Sequence, residues 1–313
     1  YKYDGFIGFN YEYEAEEDLH KACRKLNISF LVIYKESVLT ELENKYRKHT
    51  LRKKRHKFAG YKLAMYSEYA KETHIKSNFV EKRNVEVVGC SRLGESFSYK
   101  KIKPKNKILY YVIENHRGLP NFWVKVFGNK VFEDLKIHKK YNPNFNWKSL
   151  HLKTVKTLKK FAINNPDISI EFKIKTGQSI KDKEYSNFPE NIKFKYFGAG
   201  HKFIKESKII IGWNTTALLE GIASNRFILV PRFHKKNNKS KDVRELNLHL
   251  NSENYAHSEN DLYKKLAYFM KKKYKSNISN NNLYSLKYYL GNSDNKSDLR
   301  LDKFIRNNII VRN

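Results

Sequence analysis

Between Lys208 and Pro231 the chain reads KIIIGWNTTALLEGIASNRFILVP, and no other stretch limits the possible folds so tightly. An apolar run, Ile209–Ile211, stops at Gly212-Trp213-Asn214. Two threonines and a short amphipathic stretch, Ala217–Ala223, follow. After Ser224-Asn225 a second apolar run, Phe227–Val230, closes on Pro231. The pattern predicts strand, loop, helix, strand, a βαβ unit whose loop lies at the carboxyl end of a buried strand. Open α/β sheets take their ligands at that end, and free N–H groups at a helix start favour an anion. A phosphate-bearing ligand is therefore expected there. Asn214 or Thr215 is expected as N-cap, with Thr216 in the first turn. Glu220 falls one turn after Thr216, inside the apolar Leu218-Leu219-Glu220-Gly221-Ile222, where an acid needs a partner.

The same alternation runs along the rest of the chain. Tyr3–Phe9, Ile28–Tyr34 and Val85–Cys90 read as strands, and so do Ile108–Ile113, Ser169–Lys175 and Ile192–Phe197. Helical spacing is read over Glu12–Leu26, with Ala15, Leu19, Ala22, Cys23 and Leu26 on one face. It is also read over Ser37–Glu72, Trp147–Asn164, His201–Glu206 and Leu262–Lys273. The last part, Leu283–Ile310, reads as helices broken at Gly291-Asn292. Strands alternating with helices in both halves predict an α/β chain of two Rossmann-like parallel-sheet domains facing a cleft. The polar, basic stretch Ser98–Lys107, with Pro104, sets the expected boundaries. They are an N-terminal domain over 1–103, a ligand-binding domain over 104–282, and C-terminal helices over 283–313. The chain opens on strand-like sequence at Tyr1, so the N-terminal domain is expected to be incomplete.

A composition 40% hydrophobic and 14% aromatic supplies real cores and excludes a disordered chain. No run approaches the roughly 18 apolar residues of a membrane span, and no signal peptide is visible. This leads to the expectation of a cytoplasmic protein. Two distant cysteines, Cys23 and Cys90, argue against a disulfide framework or zinc site. The formal net charge of +31 admits nucleic acid, an anionic membrane surface or anionic sugar ligands as partners. The basic residues are spread along the whole chain and no nucleic-acid-binding signature is present. A basic stretch such as Leu51–Lys57 suits peripheral contact with anionic lipid, and no specific nucleic acid is expected. The phosphate loop of nucleoside triphosphatases, the dinucleotide fingerprint and HExxH are all absent. No cofactor and no metal are expected.

On Asn214, Thr215, Thr216 and Glu220, and on a strand ending in Pro231, the segment resembles the C-terminal domain of GT-B glycosyltransferases of bacterial surface-polysaccharide synthesis. The resemblance extends as a pattern over most of 104–313. It implies that the polar loop binds the phosphates of a nucleotide-sugar donor and that Glu220 binds the ribose. The glycine-rich loop of many such enzymes is reduced here to Gly198-Ala199-Gly200-His201. By position, Arg117 in the Glu114–Pro120 loop and Lys175 are further phosphate contacts, and His116 a donor to the leaving phosphate. Glu14, in the loop after the first strand, is the expected general base, with Glu36 a second candidate. The expected activity is metal-independent sugar transfer to a glycan or lipid-linked acceptor. A CDP-glycerol-type phosphotransferase or a sugar-nucleotide 2-epimerase of the same plan, and a non-enzymatic polyanion-binding protein, are the rival readings.

Overall fold

The structure is a computed structural model that describes residues 4–11, 14–35, 37–53, 57–113, 147–174, 187–233, 245–274 and 277–309. The chain divides into two compact units. The first comprises Tyr1–Gly94 with Tyr284–Asn313, the second Glu95–Leu283. In chain order the elements are β1 (Gly5–Gly8), α1 (Glu14–Lys25), β2 (Ser29–Ile33), α2 (Glu41–Lys53), β3 (Lys62–Met65), α3 (Glu68–Lys76), β4 (Val85–Val87) and α4 (Gly94–Tyr99). There follow β5 (Lys107–Tyr111), α5 (Trp147–Asn164), β6 (Ser169–Lys173), β7 (Ile192–Lys195), α6 (Gly200–Glu206), β8 (Ile209–Ile211), α7 (Ala217–Ala223) and β9 (Phe227–Pro231). The last are β10 (Tyr255–Ala256), α8 (Glu259–Lys271), α9 (Asn280–Leu290) and α10 (Ser297–Asn308).

Both sheets are parallel, as the alternation of strands and helices predicts. The first unit holds a four-stranded sheet in the order β1-β2-β3-β4. Its inner strands are buried on both faces, which is why β2 is a continuous apolar run. Successive side chains point to opposite faces. Phe30 and Val32 join Leu63 and Met65 in one core, while Leu31 and Ala64 pack with Val88 under Phe304 of α10 on the other face. Gly291 (φ +80°) follows α9, and a Cβ there would lie 1.7 Å from the Tyr66 carbonyl oxygen. Only glycine permits this approach of the C-terminal segment to the end of β3.

Two local expectations in this unit are corrected. The stretch Ser37–Glu72 is not one helix, because Leu63, Ala64 and Met65 form the buried inner strand β3 and Ser67 caps a new helix by accepting the Ala70 N–H at 3.3 Å. On α1 the apolar face is turned: Leu19, Ala22 and Leu26 are exposed. Of the expected face Cys23 does face the core, and His20 joins it there, because the His20 ring packs on Phe30 with centroids 4.0 Å apart.

The second unit holds a six-stranded sheet in the order β10-β9-β8-β5-β6-β7. The chain starts at β5 in the middle, runs outward through β6 and β7, then returns to β8 and runs the other way. This is the doubly wound order, and its switch point lies between β5 and β8. Arg226 lies behind this sheet and is 3% exposed. Its guanidinium donates to the carbonyls of Tyr99 (3.0 Å), Ile102 (3.0 Å), Ile204 (3.2 Å) and Lys205 (2.8 Å). The chain after α4 is thereby tied to the second unit. No helix of the described residues is long and apolar enough to cross a membrane.

Candidate functional site at the switch point of the six-stranded sheet

The loop Gly212–Thr216 leaves the carboxyl end of β8 beside that of β5, at the switch point. From Ile209 to Ala223 every residue is buried except Asn214, Thr215, Thr216 and Glu220, which are half-exposed. The turn is sharp. Gly212 lies so close to Thr215 that a Cβ would meet its Cγ2 at 2.9 Å, and Asn214 adopts φ +45°, a conformation that asparagine tolerates better than most residues. Thr215 Oγ1 accepts the Ala217 N–H at 3.3 Å. Thr216 occupies the N-cap position in helical conformation without a side-chain capping bond. Thr215, one of the two residues expected to cap, supplies the capping oxygen, although the N-cap position itself falls on Thr216, whose hydroxyl makes no capping bond. The backbone N–H groups of Asn214, Thr215 and Thr216 have no acceptor among the described residues. Three N–H donors, two hydroxyls and an amide are therefore gathered on one turn.

α7 packs tightly on the sheet below. A Cβ at Gly221 would come within 2.8 Å of Ile228 Cδ1 and 3.1 Å of Ile210 Cγ1, so the glycine lets the helix settle onto β8 and β9. That packing aims the neighbouring Glu220 to the rim. Its carboxylate is close enough to Tyr111, at the end of β5, to help keep that phenol protonated. Burial is the larger cause and holds the Tyr111 pKa well above its usual value. The Tyr111 hydroxyl donates to the Gly200 carbonyl at 3.0 Å, which ties the Gly198–His201 turn to the same crevice.

Beneath the loop lies a group that sequence reasoning missed. Glu245 is buried, and Arg232, one residue past β9, donates to it through Nε at 2.6 Å. The Arg232 guanidinium lies 3.9 Å from the Tyr255 ring centroid. Burial raises the Glu245 carboxyl above the usual carboxylate range. Arg232 opposes the shift, and the Trp213 indole is near enough to favour the charged form as well. The Tyr255 hydroxyl, pushed up to about 12 mainly by burial, donates to the Leu248 carbonyl. Arg232 and Glu245 belong to different segments, so no spacing in the sequence links them. The signal available was a guanidinium directly after a strand ending in proline.

His116, Arg117, Lys175 and Glu36 lie outside the described residues. Glu14 opens α1 in the first unit, and the position of its side chain is likewise outside the description. The carboxyl end of that sheet has a different centre. Tyr11 donates to Nε2 of the buried His74, whose Nδ1 pairs with the Ala70 carbonyl at 2.7 Å. Tyr34 and Phe79 enclose the pair. Burial holds the His74 imidazole neutral, its pKa lowered to about 3.

No family model matches the sequence, and no curated protein matches it. Solved structures do match in fold. The wall teichoic acid polymerase TagF superposes with a TM-score of 0.52 at 12% identity, covering 90% of this chain and 69% of that one. A protein from Listeria monocytogenes assigned as a UDP-N-acetylglucosamine 2-epimerase superposes with a TM-score of 0.51 at 9% identity, covering 96% and 73%. Two parallel-sheet α/β units, the second doubly wound, and these likenesses give this chain the GT-B type of fold.

Proposed function

We propose that the protein is a glycosyltransferase that uses a nucleotide-sugar donor and needs no metal. The observation that carries this reading is the selective exposure at the switch point. On a segment otherwise buried, the half-exposed residues are Asn214, Thr215, Thr216 and Glu220, and three backbone N–H groups on the same turn have no acceptor among the described residues. Donors gathered on one turn suit phosphate oxygens, and a carboxylate one helical turn away suits a ribose diol. The fold supports the reading, since one neighbour is a polymerase of wall teichoic acid and the other is assigned to a UDP-sugar.

In this scheme Asn214, Thr215 and Thr216 hold the phosphates and Glu220 orients the nucleoside. Arg117 and Lys175 add positive charge, and His116 protonates the departing phosphate. Glu14 of the first unit takes the proton from the acceptor hydroxyl. Catalysis rests on positioning and on stabilising the leaving phosphate without a cation. The acceptor is a cell-surface glycan or a lipid-linked precursor.

The test is a thermal-shift and calorimetric panel of UDP-, GDP-, CMP- and CDP-linked ligands. One of them is expected to stabilise the protein. Glu220→Ala should weaken that ligand by roughly 10- to 100-fold, the loss of hydrogen bonds to a charged acceptor, with the melting temperature of the free protein nearly unchanged. Silence across the whole panel, or unaltered affinity in the variant, refutes the assignment.

A further inference from the structure

The structure holds a cavity that the donor site does not use. It lies in the first unit at the amino ends of β2, β3 and β4, opposite the end at which parallel sheets present their ligand loops. Its volume is about 460 Å³, within the size range of small-molecule sites. Ser29 opens β2, Lys62 opens β3 and Asn84 precedes β4, and all three line it. The rings of His20 and Phe30, 4.0 Å apart, and the exposed Tyr61 supply its apolar surface.

Its charge is one-sided. Arg24, Lys62 and Arg83 line it, and among the described residues no carboxylate does. Lys62 is fixed at the mouth: its Nζ donates to the Arg83 carbonyl at 2.7 Å and reaches Glu86 at 3.4 Å. Arg83 donates through Nε to Glu81 at 2.7 Å, which leaves the outer edge of its guanidinium for another acceptor. Arg24 is exposed. The end of α1 does not cancel this charge with bare carbonyls, because those of Ala22, Cys23 and Arg24 accept the N–H groups of Leu26, Ile28 and Asn27. Two guanidinium forks suit a tetrahedral oxyanion better than a point charge does. The volume exceeds what a bare ion fills, and the aromatic walls suit an organic substituent.

We propose that this cavity binds a phosphate ester, with the phosphoryl group held between Arg24, Lys62 and Arg83 and its organic part against Phe30 and Tyr61. The site stands apart from the donor site and does not depend on the function proposed above. The phosphoryl group has two possible sources, a soluble sugar- or glycerol-phosphate and the headgroup of an anionic lipid, and the experiment separates them.

Calorimetry with inorganic phosphate and with glycerol 3-phosphate tests the soluble source. Co-sedimentation with phosphatidylglycerol–phosphatidylcholine vesicles, against phosphatidylcholine alone, tests the lipid. Saturable binding in either arm is expected, with glycerol 3-phosphate tighter than inorganic phosphate if the soluble source applies. Arg24→Glu and Arg83→Glu should each weaken it about tenfold or more, as expected when a guanidinium contact becomes a repulsion. Glu220→Ala should leave it unchanged, so failure here is distinct from failure of the donor site. Lys287→Glu, an equal change of charge on the exposed face of α9, should have little effect. The proposal is overturned by absence of saturable binding in both arms. It is equally overturned if Lys287→Glu weakens binding as much as Arg24→Glu does, since only diffuse charge would then be at work. Circular dichroism confirms that each variant is folded.

Discussion

The loops after β1 and after β8 occupy equivalent places, each at the carboxyl end of a strand in a parallel sheet, and they use that place in opposite ways. After β8, half-exposed polar side chains and N–H groups with no acceptor among the described residues are supported from below by Trp213, Glu245, Arg232 and Tyr255. After β1, Tyr11 turns inward and its hydroxyl is spent on His74 within an aromatic cluster. The lesson is that topology supplies the position, and the local balance of burial against hydrogen bonding decides whether it becomes a surface for ligands or part of the core.

Replacing Glu245 with alanine strikes hardest at this contrast. It leaves the Arg232 guanidinium half-buried without its carboxylate and removes the floor of the Trp213 loop. Removal of one partner of a buried ion pair costs about 3–5 kcal/mol. Chemical denaturation should register that loss, and donor affinity should fall with it. A variant as stable as the parent would mean that the loop stands without its support. Tyr11→Phe probes the other side. It strips a buried imidazole nitrogen of its donor, at about 1–3 kcal/mol, and should leave donor affinity untouched. A change in nucleotide binding in that variant would erase the distinction between the two loops. Thr216→Val should reverse the pattern, with stability retained and donor affinity lowered by about 1 kcal/mol, read by calorimetry.

The smallest effect at neutral pH is expected for His20→Phe. His20 is 2% exposed and its buried Nε2 has no hydrogen-bond partner among the described residues, so a ring of similar size should change stability by less than about 1 kcal/mol at pH 7. The difference appears on acidification. Burial lowers the His20 pKa to about 4 and the His74 pKa to about 3, whereas both titrate near 6.5 in the unfolded chain. Depressed imidazole values favour the fold fully above pH 6.5. That advantage is lost as pH falls from about 6.5 toward the folded values, because the unfolded chain takes up protons that the folded chain refuses. Melting temperature should therefore drop between pH 7 and pH 4.5, and less steeply in His20→Phe. Equal slopes for parent and variant would show that His20 remains accessible to protons.

The parallel architecture and the βαβ unit around Trp213 were legible in the sequence because apolar runs ending at glycine, threonine and proline leave few alternatives. Its isolation among leucines marked Glu220 as an acid in need of a partner, and the structure leaves it half-exposed at the rim. β3 was hidden, since four residues between basic stretches give too short a signal to break a helical reading. The buried side of α1 was misjudged because periodicity places apolar residues on one stripe but cannot tell that an imidazole will out-compete Leu19 and Leu26 for the space beside Phe30. Arg232 and Glu245 were invisible for another reason: their pairing is a product of tertiary structure, and nothing in either segment announces it.

The approach of Gly291 to Tyr66, and the lid that Phe304 places over Leu31, Ala64 and Val88, have a consequence for biosynthesis. The first sheet is begun by residues made before the second unit and sealed by residues made after it. The second unit, contiguous from Glu95 to Leu283, can mature while the ribosome is still at work. The nascent chain therefore carries a finished second unit and a first unit with an open apolar flank until residues 284–309 have been made, and a stop codon before residue 284 would fix it in that state.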